Sequence, residues 1–487
     1  MKIRAIFIAL MLPLGMMAQS IQFTQDLKTA FGKMSELRFK EAEKLIVLEE
    51  QRAPDNLALA YIKGVLLSVS LFINESESDF DDSRGQLEDY ISELEDAPDN
   101  DPQKRFMISQ LRLGMAILHG RFHNNFNAGW QFYKAYNLLL ENHNSFPDYS
   151  PNYVPLGVLY VAIGSLPDGY QSIASIIGIK GDVKQGMTLI RSGYQRIQKE
   201  NDNLFYRDYF GFVYSYISLE LNGDNSISPE SLGLNFKRSS YLSYMQARVD
   251  INKGKARKAL TLLKNRPKGE AYHPFSYLDY YTGRIALAFS PDTAYLYLNK
   301  YLTEASTGNY RKSTYRYLSW YAMLKNDMEG VRRYREKVMQ EGTLNTGADK
   351  QAYREAQEPF NEVLTKGRIY FDGGLYDKAS AYMLSRESLL SKFGSADRVE
   401  YYYRLGRIFQ DKGEGSEAIV YFKKALNIPL DQSTFAQANS ALQLAVVLEK
   451  KGYKEEARKY YEQTLTYKDF PFYEGLHQKA KAGLDRI

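Results

Sequence analysis

Arginine follows a small residue at four places in the chain: Ala247-Arg248, Gly283-Arg284, Gly367-Arg368 and Gly406-Arg407. A guanidinium is a planar fork of donors that matches a carboxylate, so a set of such forks suits an acidic or C-terminal peptide segment. The alternative is that each arginine pairs with a Glu or Asp of an adjoining helix and only stabilises the packing. His119 and His123 stand four apart, the spacing at which two histidines on one helix face share a metal, but no Glu follows the first and the protease pattern fails. His143, His273 and His477 have no evident partner. The run Gly413-Glu414-Gly415-Ser416-Glu417 has the glycines of a phosphate loop without its Gly-Lys-Ser/Thr ending. No Gly-x-Ser-x-Gly element occurs, and the absence of cysteine removes thiol catalysis, thiolate metal sites and disulfides. The residues therefore specify no catalytic constellation, no metal site and no cofactor, and what they offer is binding. A net charge of +5, spread over 487 residues, points neither to nucleic acid nor to an anionic membrane.

Elements that would position these arginines are clearest near the C-terminus, where three segments align at a spacing of about 39 residues. The middle copy places Tyr402, Leu405, Gly406, Phe409, Gly413, Ala418, Phe422, Ala425 and Pro429 in the order large, large, small, large, turn, small, large, small, proline. Gly367, Tyr370, Gly374, Ala379 and Met383 occupy these places in the copy before it; Leu444, Ala445, Leu448, Gly452, Ala457 and Tyr461 do so in the copy after it. Residues at i, i+3 and i+7 share one helical face, so each first helix shows a large-small-large stripe, while alanine on the second lets the backbones approach. Weaker copies start at Ala30 and Ala60, another runs through Ala247, Gly254, Ala259 and Leu263, and Gly283 with Ala286 and Trp320 with Met323 read as degenerate first helices. The 40 tyrosines fit such a stack, since a ring fills the space between helices while its hydroxyl reaches water.

This pattern resembles the tetratricopeptide repeat, and the chain as a whole is similar to exported tetratricopeptide proteins of Bacteroidota-type bacteria. The resemblance implies an all-α fold, a right-handed superhelical α-solenoid of helix hairpins, acting as a non-catalytic scaffold with a protein or peptide partner. In the register of that family the residue after the small one faces the concave groove. Arg248, Arg284, Arg368 and Arg407 would then form a ladder there, with Tyr403 and Gln410 at its flanks.

Residues 1–18 have the basic start, apolar run of roughly 13 residues and small-residue end of a secretory signal peptide, too short for the roughly 20 residues of a membrane span. The expected location is the periplasm or the cell surface, and no transmembrane segment is expected. Residues 19–221 read as an irregular helical array with an acidic insertion at 74–102, and 222–238 as a linker loop rich in Gly, Asn, Ser and Pro. Residues 239–487 read as a second array with regular repeats at 360–470 and a capping helix at 472–487; a further break is expected at 343–359.

Residues 153–192 depart from the repeat pattern. Ser165, Pro167, Gly178, Gly181, Asp182 and Gly186 are similar to a Ser-x-x-Pro element and Gly-x-x-Gly-Asp turn in a eukaryotic tetratricopeptide family linked to inclusion-body and lipid-droplet handling, which implies a shared helical architecture. The chain also resembles SusD-like glycan-binding proteins, although their anchoring cysteine has no counterpart. That likeness implies aromatic sugar contacts from Trp130, Phe132, Tyr133, Tyr149 and Tyr153.

Overall fold

Glycine opposite a large side chain brings the paired helices together. In a computed structural model of the chain, which describes residues 20–166 and 178–487, the helix Ser395–Lys412 pairs with Gly415–Leu426. A Cβ on Gly406 would stand 2.5 Å from the Phe422 ring. The same fit recurs between Gly367 and Met383 and between Gly283 and Leu298, each at 2.7 Å. Ala379, Ala418, Ala445 and Ala457 are fully buried. Gly413, at φ +84°, closes the Ser395–Lys412 helix in the left-handed region, as do Gly254 at +70° and Gly452 at +86° after theirs.

Among the described residues every regular element is helical, and successive hairpins pack side by side into an α-solenoid. Its repeats at 360–470 are the hairpins Glu362–Asp372 with Tyr376–Leu384, Ser395–Lys412 with Gly415–Leu426, and Phe435–Lys450 with Lys454–Thr466. The helix Tyr473–Leu484 closes the array by setting Gly483 directly against the Tyr461 ring, where a Cβ would find no room. The signal-peptide reading of 1–18 and Pro167 lie outside the described residues.

The N-terminal half departs from a stack in which each unit meets only its neighbours. Besides its own partner Phe39–Arg52, the helix Gln25–Ser35 meets residues 204–210, with the Phe31 ring 5.4 Å from Phe205 and 5.1 Å from Tyr206. One apolar core thus runs from Ile21 to Ile217. The acidic stretch 74–102 supplies the helix Glu77–Glu95, the second of a hairpin with Ala58–Asn74; Phe80, Leu87, Ile91 and Leu94 are buried and the acids face outward. Residues 222–238 contain no helix but are tied down. Leu234 packs against Gly211, Arg207 Nη2 donates to the Gly233 carbonyl at 2.6 Å, and the Glu230 N–H donates to Gln246 Oε1 at 2.9 Å.

The break expected at 343–359 holds a helix, Gly347–Gln357, a correction to the sequence reading. Its Asp349 is buried and accepts the backbone N–H groups of Tyr310 at 2.6 Å and Ser313 at 3.0 Å, donors that the helix Arg311–Leu324 leaves free at its start. A carboxylate there also suits the positive end of the helix dipole.

Between Tyr153–Gly164 and Val183–Ile197 the backbones themselves touch. A Cβ on Gly157 would lie 2.6 Å from the Gly186 carbonyl oxygen, and one on Gly186 would lie 2.6 Å from that of Gly157. Asp182 caps the second helix by accepting the Gln185 N–H at 2.7 Å.

Because no side chain can yield at a backbone-to-backbone contact, Gly157→Ala is expected to destabilise by about 1–3 kcal/mol. Gly32→Ala, on the Gln25–Ser35 helix with open space around its Cβ position, is expected to be neutral or to stabilise by up to about 1 kcal/mol. Thermal melts of the two variants measure the contrast; equal melting temperatures would refute it.

Candidate functional site

The four arginines find different surroundings. Arg248, on Ser240–Asn252, pairs through Nη2 with Glu220 at 2.6 Å and donates from Nη1 to the Tyr244 hydroxyl at 2.8 Å, so a carboxylate of the preceding helix neutralises it. Arg368, on Glu362–Asp372, donates to Glu355 Oε1 at 2.8 Å, lies 3.8 Å from Asp372 and covers the Trp320 ring at 5.1 Å. Arg407 meets the Tyr403 hydroxyl and Asp411, both at 3.5 Å, and covers Phe371 at 5.5 Å.

Arg284 is different. On the helix Tyr277–Ala286, it approaches the Tyr281 ring at 5.7 Å, but among the described residues it meets no carboxylate at ion-pair distance and no hydrogen-bond acceptor. Water reaches its side chain, although protein crowds it from several sides. It lines a small cavity with Ile251, Tyr317, Trp320, Ile369 and Asp372.

Arg284, Arg316 and Arg368 converge on the buried phenol of Tyr317. Arg316 donates to that hydroxyl at 3.1 Å and pairs with Glu355 Oε2 at 3.2 Å. Burial pushes the Tyr317 phenol up, but the three guanidiniums outweigh it and hold the group below its ordinary value. Burial likewise raises Glu355, and Arg316 and Arg368 bring it well below the usual carboxylate range. Among the described residues, Glu355 and Asp372 are the carboxylates that act on these three cations. Arg316, Tyr317, Glu355 and Asp372 are not apparent as site residues in the sequence. Glu355 in particular arrives on the helix Gly347–Gln357, in a stretch that reads as a break.

Tyr403 and Gln410 belong to a separate polar seam. Asn439 donates to the Tyr403 hydroxyl at 2.7 Å, Gln443 to Asn439 Oδ1 at 3.1 Å, and Gln410 to Gln443 Oε1 at 2.9 Å. Gln410 Oε1 is left buried with no partner.

His119 and His123 do not share a helix face, which corrects the two-histidine spacing. The helix Pro102–Arg121 ends between them, His123 adopts φ +61°, and His119 is buried edge-on against Phe80 at 5.0 Å. Among the described residues no group of three or more His, Cys, Asp or Glu could hold a metal ion. Gly413 and Gly415 serve a helix end and a helix start. Of the aromatic residues at 130–153, Tyr149 packs in the core and Tyr153 donates to the Pro147 carbonyl at 2.7 Å; Trp130 is half exposed and stacks on Tyr133 at 5.7 Å. Also among the described residues, no helix is long and apolar enough to cross a membrane.

No curated protein matches the chain in sequence. A solved structure similar to it is the crystal structure of the APC/C hetero-tetramer Cut9-Hcn1, at 14% sequence identity and a TM-score of 0.26, covering 92% of this chain and 90% of that one. Residues 399–431 and 438–469 match the family described as Tetratricopeptide repeat. These spans coincide with the last two helix pairs before the cap, so the hairpin that carries Tyr403, Arg407 and Gln410 and the hairpin after it are tetratricopeptide repeats.

Proposed function

We propose that the protein is a non-catalytic scaffold for protein–protein interaction in the bacterial cell envelope, exported to the periplasm or the cell surface, which receives an acidic segment of its partner at Arg284. The observation that carries this reading is the unmatched Arg284 guanidinium, held beside Tyr317, Trp320 and two further arginines. A fork already set among the rings of Tyr281, Tyr317 and Trp320 and still open to water gains a charge-assisted pair at little ordering cost. Arg248, already matched by Glu220, would contribute packing alone.

A second reading, a sugar-binding protein of SusD-like type, is favoured by the Trp130–Tyr133 stack, beside which Phe126 is 84% exposed. A glycan panel in thermal-shift format separates the two, because a true ligand raises the melting temperature by mass action.

Fluorescence polarisation with a labelled Asp/Glu-rich decapeptide tests the groove. Arg284→Ala should weaken binding by about 10- to 100-fold, the worth of a charge-assisted hydrogen-bonded pair, whereas Arg248→Ala should leave it within about threefold. Equal affinities for wild type and Arg284→Ala would sink the proposal.

Glu355→Gln should act in the opposite sense on binding. It leaves Arg316 and Arg368 underpaired, so stability at neutral pH falls by about 1–3 kcal/mol, while the more positive groove holds the acidic probe more tightly. Since the Glu355 pKa is depressed on folding, its stabilisation is present above about pH 4.5 and fades as pH falls, so the gap between wild type and variant should close in acid. Melts between pH 3 and pH 7, with matched polarisation titrations, read both effects.

Export is checked by fractionating cells that make the full chain. The expected product is in the periplasmic or surface fraction with a new N-terminus near residue 19; an intact N-terminus in the cytoplasmic fraction would overturn that part.

A further inference from the structure

Leu37, Glu75 and Tyr310 are non-glycine residues with left-handed backbone, at φ 60°, 54° and 55°, a conformation that L side chains seldom adopt. All three meet along one seam, where the turns of the first two hairpins touch the loops that enter later ones. The Leu37 carbonyl accepts the His273 N–H at 2.7 Å, and the Phe39 ring stacks on His273 at 4.5 Å. Opposite the next turn, His273 Nε2 lies 2.9 Å from Asn74 Oδ1 and Asn309 donates to Glu75 Oε2 at 2.9 Å, across 199 and 234 residues of sequence. Arg121 pairs with the other Glu75 oxygen and lies over the Tyr310 ring at 5.9 Å.

Hairpins that touch only their neighbours make a spring, whose pitch follows small changes at every joint. Here edges far apart in sequence are joined directly. The seam also differs from the cores on either side of it. It is made mainly of single polar contacts, which water can replace, and it encloses a cavity of about 100 Å³ reached by Asn74, Glu75, Ser276 and Thr307.

We propose that this edge contact is a latch that holds the first superhelical turn shut against the next, and that its release lets the array open along its axis. The strained turns follow from this: Leu37 and Glu75 place a carbonyl and a carboxylate at the seam, and helix ends relaxed by glycine would present neither the Glu75 side chain nor the same approach.

The double variant Glu75→Ala with His273→Ala should increase the radius of gyration in small-angle scattering. Hydrogen exchange at 35–39 and 272–276 should rise at least tenfold, while the helices between 395 and 426 keep their protection. A double-alanine variant with unchanged scattering and exchange would overturn the latch, as would one whose protection at 395–426 is lost together with the seam.

Discussion

Close approach of two helix backbones, permitted by glycine or alanine on one and filled by a ring or a long side chain from the other, is the constraint on which the array rests. Gly406 under Phe422, Gly367 under Met383 and Gly283 under Leu298 repeat one solution, and Gly483 under Tyr461 applies it again at the cap. Each fit fixes the angle of a hairpin, and the angle of one hairpin orients the next. One position beyond a small residue stands an arginine in four of these helices, after Ala247, Gly283, Gly367 and Gly406.

Charge around these arginines is almost, but not wholly, balanced. Glu220 answers Arg248, Glu355 answers both Arg316 and Arg368, and Asp411 approaches Arg407. Among the described residues Arg284 alone of the four has no such answer, although it lies beside the rings of Tyr281, Tyr317 and Trp320. Burying a cation without a counterion is costly, and the arrangement keeps water in contact with it instead. The lowered Tyr317 phenol is a sign of the same imbalance.

What the sequence made legible was the local part of this architecture. Three registered copies between Gly367 and Tyr461 carry their small and large residues at fixed spacing, and the hairpins there begin and end close to the expected positions. The last turn of helix was harder to read where glycine is missing, because Leu37, Glu75 and His123 take the left-handed place that glycine takes elsewhere. Whether an arginine faces a free groove or a carboxylate depends on residues distant in the chain. Glu355 lies on a helix that Thr346 caps from within an apparently irregular stretch, and no periodicity announces it. The return of Gln25–Ser35 onto residues 204–210 is invisible for the same reason, since it rests on ring packing between Phe31 and Phe205 and Tyr206, not on a repeated spacing.

Asp349 gives the helix Gly347–Gln357 an unusual independence. With two buried backbone amides of the adjoining helix fastened to one carboxylate, the segment is held at its base, whatever its outward residues are. Position 355 therefore rides on a segment whose base is fastened separately from the pairs that Glu355 makes with Arg316 and Arg368. A short peg of this kind separates what seats a segment from what sets its charge, so that a substitution at position 355 trades stability against local charge while the peg itself stays in place.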